Sequence, residues 1–74
     1  MFKKWLNETK GYSEKVSADI NSRAKRAKRM LNKEDLSPED IYTLSSLEEY
    51  EALTKYVKSQ IKKSVSLYLE FQGK

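Results

Sequence analysis

Residues 20–31 read INSRAKRAKRML. Placed on a helix at 100° per residue, Val16, Ile20, Ala24, Ala27 and Leu31 fall within an arc of about 80°, the spacing of a stripe that faces a core. The two alanines let whatever packs on that stripe come close. Arg23, Lys25, Arg26, Lys28 and Arg29 occupy most of the remaining circumference. Within that set Lys25, Arg26 and Arg29, extended by Lys33 and Ser22, form a row within about 100° on the side opposite the stripe. Arg23 and Lys28 flank it. Only water, an acidic protein or a polyanion satisfies such a collar. The flanking pair is expected to meet acidic groups of the same chain, and the outward row to meet a ligand.

Working toward the amino terminus, Phe2, Trp5, Leu6 and Thr9 recur every three to four residues and predict a short amphipathic helix over about 2–10. Gly11 ends it, because glycine adopts the left-handed cap conformation without a Cβ penalty. Ser13 can then accept a hydrogen bond from the first turn of the basic helix, expected over about 14–32. A standard helix-turn-helix around Gly11 suits Leu6, Tyr12 and Ile20. Lys10 and Ser17 stand where that motif wants buried residues, which argues against it.

Toward the carboxyl terminus, Ser37-Pro38-Glu39-Asp40 combines a capping serine, a proline where its missing N–H costs nothing, and acids in a first turn. It predicts a short helix at about 38–44. From Leu47 onward, Tyr50, Leu53, Val57, Ile61, Val65 and Tyr68 fit an arc of about 120° and predict one last helix over about 47–70. Alternation at Val65, Leu67, Leu69 and Phe71 also suits a strand, but a lone strand has no ladder partner, so the helix is preferred. Lys55, Lys58 and Lys62 form a second basic ridge on this helix. Tyr56, Leu67 and Phe71 lie off its stripe and are candidates for an oligomer interface, here a homodimer.

The expected fold is therefore all-α: a small bundle, residues 1–74 as one domain, in which helices 14–32 and 47–70 pack antiparallel and the short helices cap them. A chain of 74 residues buries only about 60% of the surface it exposes when unfolded, so binding or association would add materially to its stability. With 38% hydrophobic and 35% charged residues it suits a small helical domain rather than a disordered chain. No stretch approaches the roughly 18 apolar residues that span a bilayer. MFKKWL is followed by NETKGYSEK instead of the apolar core of a signal peptide. A cytoplasmic location is expected, and no membrane contact.

The chain has no Cys and no His, which removes thiolate nucleophiles, thiolate metal sites and the commonest general base. The adjacent acids Glu34-Asp35, Glu39-Asp40 and Glu48-Glu49 point about 100° apart on a helix and read as capping and solvation, not as a paired acid and base. Neither catalysis, a small-molecule substrate, a cofactor nor a metal is expected. Charge is segregated: residues 1–33 hold ten Lys/Arg against three Asp/Glu, residues 34–53 none against seven, and residues 54–74 five against one. Either the acidic middle neutralises the basic flanks, or a basic face stays free. The preferred reading is a nucleic-acid-binding (DNA or RNA) accessory or regulatory protein that uses the basic helix face. The alternative is a small adaptor or inhibitor that docks on an acidic protein partner.

Overall fold

The computed structural model describes residues 1–73. Among these residues the chain folds into helices only: α1 (Phe2–Lys10), α2 (Glu14–Leu31), α3 (Asp40–Ser45), α4 (Glu48–Glu51) and α5 (Lys55–Gln72). It is a small all-α bundle built on the two long helices, and no helix is long and apolar enough to cross a membrane.

The boundaries follow from local chemistry. Gly11 closes α1 in the left-handed region at φ 71°, and the Tyr12 N–H reaches back to the Leu6 carbonyl at 3.3 Å. Ser13 then caps α2, its Oγ accepting from the Val16 N–H at 3.2 Å. Asn32, at φ 56°, ends α2, and the Lys33 N–H bonds the Lys28 carbonyl at 2.9 Å. Both left-handed caps satisfy carbonyls that a helix end leaves without partners.

At Ser37-Pro38 the expected start is present in a tightened form. The first turn closes through i→i+3 bonds, Asp40 N–H to Ser37 O at 2.9 Å and Tyr42 N–H to Glu39 O at 3.0 Å. Regular α-helix begins only at Asp40. The Asp40 carboxylate accepts from the Ser37 N–H at 2.7 Å, which is the returning half of a capping box.

The single helix expected over 47–70 is corrected to two. α4 ends at Glu51, and Thr54, in an extended conformation (φ −68°, ψ 158°), starts α5. The Thr54 hydroxyl accepts from the Val57 N–H at 3.3 Å. The break leaves Tyr50 on its own short helix, where its buried ring packs beside α5 and its hydroxyl donates to the Lys58 carbonyl at 3.0 Å.

The core has two parts. Ala27, Leu36, Leu44, Tyr50, Ile61, Val65 and Leu69 form one, joined by Met30, Leu31 and Val57 at its edge. Phe2, Leu6, Ile20 and Ala24 form the other, packed by Trp5, Tyr12, Leu67, Tyr68 and Phe71. Going from Ile20 to Ala27 along α2, the α5 neighbours shift from the 67–71 end toward 61–65, which is the antiparallel sense. Ala24, Ala27 and, from α5, Ser64 are all buried on this seam; Ser64 returns its hydroxyl to the Gln60 carbonyl at 2.9 Å, so the small polar group is satisfied within its own helix. Each fully buried Leu or Ile contributes roughly 1.5–3 kcal/mol.

Two stripe assignments change. Val16 is 42% exposed, and Ser17 is buried in its place. The first turns of α2 face α1, which folds back at Gly11, so the buried direction there is set by α1 and turns toward Ser17. On α5, Leu69 and Ser64 are buried, while Tyr68 is only half-buried between the two parts of the core.

Candidate polyanion-binding face

α2 carries its cations on three sides of a helix whose fourth side is buried against α1 and α5. Lys25, Arg26 and Arg29 are exposed. Among the described residues, none of the three, nor the half-buried Arg23, has a carboxylate within ion-pair distance. Ser22 is also exposed on that side and adds a hydroxyl.

Lys33 leaves the row. Its Nζ sits 3.0 and 2.9 Å from the two carboxylate oxygens of Asp40, a residue only 5% exposed. Burial raises the Asp40 pKa, but hydrogen bonds from Lys33 and from the Ser37 N–H and hydroxyl, with the Lys33 charge, outweigh it. The net effect holds the carboxyl below its ordinary range. Contact between the acidic segment and α2 was expected at Arg23 and Lys28, and it occurs at Lys33 instead. The reason is length: the turn after Asn32 returns the chain only far enough to bring Asp40 beside the last cation.

Lys28 takes a different partner. Its Nζ donates to the Tyr68 hydroxyl at 2.7 Å and lies 3.9 Å from that ring's centroid. It ties α2 to α5 and is not available to a ligand without breaking this contact. Of the ridge on α5, Lys58 is half-buried, pairs with Glu51 at 3.5 Å and lies over the Tyr50 ring, with Lys62 near the same ring. Lys55 is exposed. The ridge and the α2 row are thus differently employed, the first partly in folding and the second not.

Tyr56 is 70% exposed. Leu67 and Phe71 are half-buried and already have partners in α1: the Phe71 ring lies 5.5 Å from Phe2 and 5.6 Å from Trp5. α1 is the element that accounts for apolar residues off the α5 stripe. Lys10 completes that contact, 2.6 Å from Glu70 and 5.6 Å from the Trp5 centroid.

Sequence reasoning missed one residue that shapes this face. From its spacing to Ser37, Asp40 reads only as a cap, which it is; its bonds to Lys33 at the end of α2 are a tertiary contact that the spacing does not contain. Ser17, about 20° beyond Ala24 on the helical wheel, is buried, so of the two residues that argue against a helix-turn-helix around Gly11 only the exposed Lys10 still does. No protein-family model matches the chain, and comparison with curated proteins and with solved structures gave no match.

Proposed function

We propose that the chain is a nucleic-acid-binding accessory or regulatory protein that docks the exposed side of α2 on phosphates. The observation that carries this reading is the alignment of Lys25, Arg26 and Arg29, all exposed on one side of α2 and, among the described residues, without a carboxylate within ion-pair distance. Arg26 and Arg29 are three residues apart, about 4.5 Å along the axis, so adjacent phosphates of one strand fall within their reach. The stripe opposite is filled by the core, so docking requires no rearrangement of α2. The binding protein acts without catalysis, and its location is the cytoplasm.

The test is fluorescence anisotropy with a labelled random duplex and a labelled single strand at low salt. The wild-type chain binds, and Arg26→Glu with Arg29→Glu abolishes binding while circular dichroism stays unchanged. No binding to either probe at low salt removes this reading and promotes the alternative, an adaptor or inhibitor that docks on an acidic protein partner.

A further inference from the structure

The outward side of α5 is basic as well, and it lies across the bundle from the α2 row. Lys55, Tyr56, Ser59, Lys62, Lys63 and Ser66 are all exposed and fall within an arc of about 120°. The centre of that arc stands about 140° from Ser64, which α5 buries in the seam against α2. On α2, Lys25, Arg26 and Arg29 face away from the same seam, where Ala24 and Ala27 are buried. The two basic faces therefore look outward on either side of the packed pair, roughly 20 Å apart for helices of about 10–12 Å diameter.

The charge on the α5 face is free. Among the described residues, no carboxylate lies within ion-pair distance of Lys55, Lys62 or Lys63. The two acids that pair at or beside α5 are engaged elsewhere: Glu70 holds Lys10 at 2.6 Å and Glu51 holds Lys58 at 3.5 Å. Lys62 makes only a distant contact, 6.0 Å from the centre of the Tyr50 ring. Lys55 and Lys62 are about 10.5 Å apart along the axis, which spans about two to three phosphates of one strand. Ser59 and Ser66 add hydroxyl donors between and beyond them. What separates this face from the α2 row is Tyr56, on the same side as Lys63, 70% exposed and outside the ring contacts of the core. Paired bases offer such a ring nothing to stack on. Unpaired bases do, and a cationic row with an exposed aromatic is how single strands are held, by backbone charge and base stacking together.

We propose that the outward side of α5 holds a single-stranded nucleic-acid segment while α2 is docked on another segment, so that one chain joins the two. Tyr56 stacks on a base, and Lys55, Lys62 and Lys63 neutralise the phosphates on either side of it. This rests on the phosphate-docking reading of α2. The α5 face has lysines only, point charges without the two-pronged fork of arginine, and does not hold a strand alone in dilute solution. It acts where α2 lines several chains along one nucleic acid and their α5 faces engage a strand together.

The experiment is a two-step capture. A random duplex fixed to beads is coated with the full chain, washed at low salt, and offered fluorescent oligo-dT, with a fluorescent second duplex as the comparison probe. The wild-type chain is expected to retain oligo-dT in preference to the second duplex. The triple variant Lys55→Gln, Lys62→Gln, Lys63→Gln should keep the wild-type salt slope on the bead duplex and lose oligo-dT. Tyr56→Ala should lower retention roughly ten-fold, the weight of one stacked base. All four side chains are exposed, so the core is untouched, and circular dichroism checks it. If the wild-type chain does not bind the bead duplex, the α2 reading and this proposal fall together. If it binds the duplex and retains no oligo-dT, this proposal alone is overturned, and the α5 face is left to a second copy of the chain or an acidic protein. Retention unchanged in either variant, equal retention of the second duplex, or loss of bead-duplex binding in the triple variant also overturns it.

Discussion

Lys33 and Asp40 are joined by a two-pronged ion pair, 3.0 and 2.9 Å, that ties the end of α2 to the start of α3. The pair does two jobs at once. It satisfies a carboxylate that is nearly buried, and it withdraws one cation from an otherwise free row. It is also the only ion pair among the described residues that joins α2 to the acidic segment of residues 34–53.

Asp40→Asn is expected to destabilise the fold by about 1–2 kcal/mol, the weight of a lost cap and a weakened buried hydrogen bond. The Lys33 side chain is 43% exposed, so its released charge is rehydrated and adds little to that cost. Urea denaturation measures it. Because the folded-state pKa of Asp40 is depressed, the stability it supplies is fully present above the ordinary carboxylate range. It is lost as pH falls through the lower folded-state value. Stability of the wild-type chain therefore drops more steeply on acidification than that of Asp40→Asn, and the two curves converge in acid.

Thr54→Ala is expected to cost about 1 kcal/mol by removing the cap that starts α5. In a domain of this size that lowers the thermal midpoint by about 4–8 °C. The same change at exposed Ser59, in the interior of α5, lacks this cost and serves as the comparison. Equal midpoints for the two variants would mean that α4 and α5 behave as one helix in solution.

Phe71→Ala is expected to loosen α1 from α5. The ring is half-buried, so the cost is about 2 kcal/mol, below that of a fully buried phenylalanine. Trp5 is the single tryptophan of the chain and has the Phe71 ring 5.6 Å away. Its emission should shift to longer wavelength in the variant, before any global unfolding. An unchanged spectrum would place Trp5 outside this contact.

The helical class, α1, the Gly11 turn, the Ser13 cap and nearly all of α2 were legible because each depends on local chemistry: a spacing, a left-handed cap, a capping hydroxyl. The break before α5 was not, for a specific reason. Leu47, Tyr50, Leu53 and Val57 keep a three-to-four residue spacing straight across it, so the apolar pattern conceals the interruption. Thr54 followed three residues later by Val57 was the available sign, weak because no acid completes a capping box. The exchange of Val16 for Ser17 was hidden differently. It depends on which neighbour α2 meets in its first turns, a tertiary fact that one helix's periodicity does not contain. The row of Lys25, Arg26 and Arg29 was readable from helical angles alone. That Lys33 would be held by Asp40, and Lys28 by Tyr68, was not, because both partners lie beyond the helix.

The central claim is that the free side of α2 neutralises phosphates, and salt dependence tests it most directly. Affinity for a random duplex, measured by anisotropy from low to moderate salt, should give a log–log slope between about −2 and −3, the value for some three phosphate contacts. In the Arg26→Glu, Arg29→Glu variant no such binding should remain at the lowest salt. A wild-type affinity that does not change with salt, or binding by the variant with the wild-type slope, would contradict the account.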